Sequence, residues 1–135
     1  MLNKHGIRNL QLLGKGHPVA GADLSALQYR FVKLNSSGEA VTCAANTDRP
    51  IGVLQNAPTS GQEAEILVVG GTKLVAGEAI AEGAVLSTTS IGKADSITVG
   101  TATTQYILGT ALTEVAASDE ILTAVINCAS SGRAA

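Results

Sequence analysis

The sequence is poor in aromatic and charged residues. It contains no tryptophan, its only aromatic residues are Tyr29, Phe31 and Tyr106, and charged residues make up 15% of the 135 residues. A typical soluble domain is about one quarter charged. Apolar residues reach 45% and there are 15 glycines, so the core has to be built from Val, Ile, Leu and Ala. The length is typical of one domain rather than two.

Clusters of positive charge and long apolar runs are also missing. The net charge is −2, and the nine Lys and Arg residues are scattered along the chain. Nucleic-acid binding requires clustered cations that displace counterions from phosphates, so we expect no nucleic-acid partner. No apolar run approaches the roughly 18 residues of a membrane span, and none follows the charges near the start. We therefore expect no membrane association, and synthesis in a cytoplasm without export.

Residue patterns that support catalysis or metal binding are weak. Both histidines, His5 and His17, lie in an irregular first segment, where they have no partner held within hydrogen-bond reach. No metal-ligand spacing and no nucleophile motif is present. Glu63 and Glu65 share one face of a predicted strand, and we interpret them as a solvated edge. The sequence therefore predicts no enzymatic activity, no cofactor and no metal site.

The two cysteines, Cys43 and Cys128, stand far apart in apolar, strand-like contexts. Neither has a second cysteine at CxxC spacing or a neighbouring histidine. We interpret them as two reduced, buried thiols. A disulfide between them is the alternative that the sequence leaves open.

The composition changes near residue 25. Residues 1–25 hold both histidines, Pro18 and four glycines, and show little periodicity, so we expect an extended N-terminal arm there. Residues 26–135 read as a β-rich domain. Their apolar residues alternate in short runs separated by turn residues such as Asn, Ser and Gly.

Short strands are predicted throughout this domain. They cover residues 27–34, 39–44, 51–54, 63–69, 72–75, 84–88, 93–99, 106–113 and 120–128. Strands at 8–12-residue spacing are typical of a small β-sandwich or barrel, so the predicted fold class is all-β. Tyr29 and Phe31 are expected on one side of the first strand as core anchors. We expect Gly70-Gly71 to interrupt the chain between two of the strands.

The domain also contains an internal sequence repeat. Residues 32–40 resemble residues 86–94, with Gly38 over Gly92, and Ile51-Gly52 resembles Leu108-Gly109. Residues 63–69 lie over residues 120–126. The sequence repeat predicts pseudo-repeated halves, each of which contains a hairpin followed by two further strands.

The order of the glycine-spaced motifs resembles that of small tailed-phage capsid decoration, or cement, proteins. These motifs are IGVL at 51–54, GQEAEI at 61–66, GTKLVAG at 71–77, IAEGAVL at 80–86, GKA at 92–94, LGTAL at 108–112 and DEI at 119–121. Glu82-Gly83-Ala84 departs from the family, which often has Gly-Asp there. The resemblance covers roughly residues 41–125 and does not include the N-terminal segment.

The resemblance implies a β-rich structural protein on the outer surface of an expanded phage head. Made in the host cytoplasm, it would become part of the virion, bind the major capsid protein as a homotrimer, and need no cofactor. Because the arm carries apolar residues outside the β pattern, we expect it to supply part of the capsid contact through Ile7, Arg8, Leu10, Leu12 and Leu13. The alternative is that the arm wraps a neighbouring copy.

Three other functions remain open at this point. The β pattern also suits a phage tail or fibre-associated module, or a free-standing structural oligomer such as a bacterial shell component. A small β-barrel enzyme is the least favoured, since no base and nucleophile pair lies on an ordered element.

Overall fold

The computed structural model describes residues 10–11 and 18–135, and within that part the chain forms β-strands and no helix. The predicted all-β class is confirmed. The strands are β1 (Leu10–Gln11), β2 (Phe31–Leu34), β3 (Ala40–Thr42), β4 (Gly52–Leu54), β5 (Ile66–Val75), β6 (Val85–Thr88), β7 (Ala94–Ile97), β8 (Gly109–Ala111) and β9 (Ile121–Asn127).

The strands form one antiparallel sheet that curls into a half-barrel. The order across the sheet is β3-β2-β4-β5-β9-β8-β6-β7, and β1 pairs with β5 outside this path. The long strands β5 and β9 pair along seven residue positions and form the middle of the sheet. The hairpins β2-β3 and β6-β7 lie at its two ends.

Two halves of the chain repeat the same strand pairing, which accounts for the internal repeat in the sequence. We call residues 18–72 the first half and residues 73–135 the second half. The hairpin pair Leu34 and Ala40 corresponds to Thr88 and Ala94. In the next strand of each half, Gly52 pairs with Val32 as Gly109 pairs with Leu86.

The last strands of the two halves align one residue away from the sequence prediction. Val53 pairs with Leu67, and the corresponding residue Thr110 pairs with Val125. Leu67 thus corresponds to Val125 rather than to Ala124. Thr110 and Val125 are separated by one residue more along the chain than Val53 and Leu67 are, and this difference shifts the alignment.

The hairpin turns are built alike in both halves. In the first turn, Asn35 Oδ1 accepts hydrogen bonds from the backbone amides of Ser37 at 3.0 Å and Glu39 at 2.9 Å. In the second, Thr89 Oγ1 accepts from Ile91 at 3.3 Å and Lys93 at 3.0 Å. Each turn then needs a left-handed residue, which Gly38 and Gly92 supply at φ of 77° and 79°.

Buried side chains form two clusters. The larger lies between the two halves, and the smaller lies in the first half beneath the segment that leads into β2. The larger cluster consists of Phe31, Cys43, Val53, Leu67, Leu74, Ala76, Ile80, Leu86, Ala94, Leu108, Ala111, Leu122, Ala124, Ile126 and Cys128. The smaller consists of Ala20, Leu24, Val32, Ala40, Leu54, Ala64 and Ile66.

Residues 18–25, which the composition assigns to the arm, pack on the first half. Val19 forms a bridge with Glu63, Ala20 forms one with Ala40, and Leu24 is fully buried. The same arrangement recurs in the second half, where Ala76 bridges Ala94. The remainder of the expected arm lies outside the described residues, apart from β1, so the division at residue 25 stays a prediction.

Two local predictions were wrong. The first strand begins at Phe31 rather than at residue 27, because Tyr29 adopts a left-handed conformation with φ of 65° and leaves the strand path. Tyr29 is half-buried, and its ring centroid lies 5.9 Å from Lys73 Nζ. Of the two aromatic residues expected as core anchors, only Phe31 is fully buried. The strand β5 also runs unbroken through Gly70 and Gly71, since pairing with β9 continues along both glycines.

Candidate interaction surfaces

The described residues do not assemble a metal-binding cluster. No group of three or more His, Cys, Asp and Glu side chains within residues 18–135 could hold a metal ion. Both histidines lie outside the described residues. In the described part of the chain there is also no helix long and apolar enough to cross a membrane.

The two thiols are buried and unpaired with each other, as the favoured interpretation of the sequence predicted. Burial raises the pKa of both Cys43 and Cys128 to about 12. A thiol needs its thiolate form to act as a nucleophile. The structure therefore assigns both cysteines to packing.

Sequence reasoning missed one pair of carboxyl groups. Glu78 Oε2 accepts hydrogen bonds from the backbone amide of Ser96 at 3.0 Å and from its hydroxyl at 3.1 Å, which lowers the pKa of Glu78. Burial and the neighbouring Glu78 raise the pKa of Asp95, whose Oδ2 accepts from Gln105 Nε2 at 3.3 Å. These contacts tie the start of the second half to β7.

A row of residues crosses the first half and faces the second. Phe31, Val53 and Leu67 pair in sequence across β2, β4 and β5, and the amide of Cys43 donates a hydrogen bond to Phe31 O at 3.2 Å. We call these four residues the covered row. Each of its members is at most 2% exposed. The row is covered because the second half packs against it in the larger cluster. Both faces of β4, in the middle of the first half, are therefore buried.

Within residues 18–135, the corresponding row of the second half has no such cover. It consists of Ile97, Val85, Thr110 and Val125, which pair in sequence across β7, β6, β8 and β9. We call it the open row. Ile97 and Val85 are half-buried, Thr110 is exposed, and Val125 is 46% exposed where its counterpart Leu67 is 1% exposed.

The open row lies in a larger apolar area. Leu112 and Ile121, at the ends of β8 and β9, are 47% and 48% exposed. Gly71 pairs with Val125 on the neighbouring strand, and a methyl group at Gly71 would meet no atom within 4 Å. Exposed apolar side chains that are continuous across several strands mark an interaction site more often than single ones do. This face is therefore the candidate interaction surface of the described domain.

The two halves meet through the turn at residues 89–93. Gly92 O accepts a hydrogen bond from the Phe31 amide at 2.7 Å, and Ile91 O accepts one from Arg30 Nη1 at 3.2 Å. A methyl group at Gly92 would lie only 2.7 Å from Phe31 O and from Thr42 Cγ2. The turn of the second half is thus seated tightly on the start of β2.

The matching turn of the first half, residues 35–39, has open space at its glycine. A methyl group at Gly38 would meet no atom within 4 Å. The residue just before this turn, Leu34, is 44% exposed, whereas its counterpart Thr88 is fully buried. Thr88 lies beside Cys43 of the covered row, within side-chain hydrogen-bond distance of the thiol. We call residues 34–39 the free turn.

Most of the arm residues singled out in the sequence lie outside the described residues. These are Ile7, Arg8, Leu12 and Leu13. The backbone of Leu10 lies in β1, opposite Val69 of β5. The open row was missed by sequence reasoning. One signal for it exists, since β9 carries the apolar residues Ile121 and Val125 on the face opposite its buried residues, and apolar residues on both faces indicate that both are to be covered.

The fold defines a class of small all-β modules in which two repeated halves share one curled antiparallel sheet. Among solved structures, this chain is similar to the head fibre gp8.5 N base of bacteriophage phi29, with a TM-score of 0.63 and 19% sequence identity. The match covers 89% of this chain and 93% of that chain. At this identity the likeness establishes a shared fold. No family model and no curated protein sequence matches the chain.

Proposed function

We propose that the chain is a non-enzymatic capsid decoration protein of a tailed phage. It binds the outer surface of the expanded head as a homotrimer and stabilises contacts between major capsid protein subunits. The observation that carries the proposal is the fold, which is shared over nearly the whole chain with the base of a protein named as a phage head fibre. The glycine-spaced motifs that resemble decoration proteins support the same assignment.

The physical character of the domain suits this role. Its thiols are buried, and its sheet is tied together by paired strands from end to end. A shell filled with packaged DNA is under outward pressure, and a small module that bridges several subunits adds buried interface without changing the lattice. Because a head presents many equivalent sites, modest affinity at each is sufficient.

The arm is the proposed source of part of the head contact, through Ile7, Arg8, Leu10, Leu12 and Leu13. A variant in which Ile7, Leu12 and Leu13 are changed to Ser should bind heads more weakly, because three apolar side chains are removed from the contact. The matched control changes Asn3 and Asn9 to Ser, which alters the same segment without removing apolar groups. Equal binding by both variants would contradict this role of the arm, and loss of the trimer would favour wrapping of a neighbouring copy.

Co-sedimentation tests the proposed function. The purified protein is mixed with expanded, undecorated heads of its own phage, with unexpanded procapsids and with isolated tails. Saturable binding to expanded heads is the expected result, and the bound copy number then reports the symmetry position. Binding to tails alone, or to none of the three particles, would overturn the proposal.

A second candidate function is the base of a head fibre, and the name of the phi29 protein is the observation that favours it. Both functions predict binding to heads, so binding does not separate them. A cement protein raises the temperature at which filled heads rupture, whereas a fibre base leaves it unchanged. Thermal release of DNA from heads with and without the bound protein distinguishes the two.

A further inference from the structure

We infer that copies of this chain associate head to tail, with the free turn of one copy seated on the open row of the next. The contact would repeat, between chains, the packing that joins the two halves within one chain. The inference deepens the proposed function by naming the surfaces of the trimer. It rests on the oligomeric state proposed there and is independent of head binding.

The equivalence of the two rows is the first step of the argument. Phe31 and Val85 hold the same position in the repeated pairing, as do Val53 and Thr110, and Leu67 and Val125. The first-half members are buried only because the second half lies on them. The second-half members carry a similar backbone arrangement and are left half-buried or exposed.

The equivalence of the two turns is the second step. The turn at residues 89–93 is the element that the second half places on the first, through Gly92 and Phe31. The free turn has the same hydrogen-bond pattern and the same left-handed glycine, Gly38, and a methyl group at Gly38 would meet no atom within 4 Å. Within residues 18–135, Gly38 of the free turn and Val125 of the open row are therefore left without the cover that their counterparts have.

The side chains at the two surfaces are complementary. Within the chain, buried Thr88 lies beside Cys43. The corresponding pair between two copies is Leu34 of one chain and Ile97 of the next, both apolar. Leu34 is 44% exposed in the single chain, so this contact would remove an apolar side chain from water.

The geometry also determines the kind of assembly. A turn and a row are two different surfaces, so their contact is heterologous, and a heterologous contact forms a ring when its rotation closes. Three copies would place six similar halves around one axis. Ring closure leaves neither a free turn nor an open row, which accounts for the exposure of Leu34 and Val125 on the single chain.

Native mass spectrometry of the full chain, without heads, tests the inference. The wild-type protein should be trimeric. Val125→Glu on the open row and Leu34→Glu in the free turn should each weaken association at least tenfold, because each buries a charge in the contact. Ser60→Glu adds the same charge at an exposed loop site and should leave the trimer intact. Since Leu34 and Val125 are largely exposed, circular dichroism should show all variants folded.

A mixture of the two variants supplies the decisive result. Val125→Glu keeps its free turn and Leu34→Glu keeps its open row, so one intact contact remains, and the mixture should form a dimer that neither variant forms alone. A monomeric wild-type protein, variants that remain trimeric, or a mixture that stays monomeric would each overturn the inference. If the wild-type protein is monomeric and still binds heads, the head-to-tail inference is overturned and the proposed role on the head stands.

Discussion

The two halves of this protein share one backbone design and differ in what covers it. The covered row of the first half is sealed by the second half, whereas the open row of the second half faces solvent with Val125 46% exposed. Side chains follow this difference, since Phe31 and Leu67 occupy the covered row where Val85 and Val125 occupy the open one. A repeated fold can therefore retain an association surface wherever its last repeat has no successor.

The largest predicted effect concerns a feature that the halves share. A methyl group at Gly52 would lie 2.2 Å from Leu67 O, and one at Gly109 would lie 2.2 Å from Val125 O. Both contacts are with backbone atoms, which cannot rotate away. Gly52→Ala and Gly109→Ala should each lower the free energy of unfolding by about 3 kcal/mol or more. Urea denaturation measures this, and tolerance of either change would break the equivalence of the halves.

Counterparts in the two rows should respond differently to truncation. Leu67→Ala should lower the free energy of unfolding of the single chain by about 2–5 kcal/mol, because it leaves a cavity in the core. Val125→Ala should lower it by less than about 1 kcal/mol, since the side chain is already 46% exposed. Denaturation at low protein concentration provides the comparison. Equal losses would show that the two rows are covered alike.

The two turn glycines sharpen the comparison further. Gly38→Ala forces a left-handed alanine into open space and should cost about 1 kcal/mol. Gly92→Ala carries the same conformational cost and adds overlap with Phe31 O, so its cost should be greater by about 1–3 kcal/mol. Thermal unfolding of both variants measures the difference. A Gly38 variant as unstable as the Gly92 variant would contradict a free turn in the first half.

The smallest predicted effect belongs to Asp95. Its folded-state pKa is raised, by burial first and by Glu78 second. Stability from this group is therefore complete below the unfolded-state pKa and is lost as the pH rises through the folded-state pKa. Asp95→Asn should raise the melting temperature slightly at pH 7 and leave it unchanged near pH 3. A lower melting temperature at pH 7 would contradict the raised pKa.

Part of the fold was predictable because its signals are local. Asn35 and Gly38 specify a turn through their own hydrogen bonds and φ preference, and the β-branched and apolar residues of β9 specify a strand. The repeat was predictable because equivalent glycines, Gly52 and Gly109, meet the same close approach of backbone in both halves.

Other features depend on distant contacts and were not predictable. The chain turns at Tyr29 because its amide donates to Leu54 O at 2.8 Å, and no neighbouring residue signals this. Gly70 and Gly71 stay within β5 because β9 pairs with them. The open row escaped prediction because Val85 and Val125 are as apolar as core residues, and only the tertiary structure separates a covered face from an uncovered one.

Cryo-electron microscopy of expanded heads incubated with the wild-type protein tests the central claim most directly. The account predicts density for the curled sheet on the outer surface of the shell, where major capsid protein subunits meet, with residues 34–39 of each copy against the open row of the next. A bare outer surface at saturating protein would contradict the proposed role on the head.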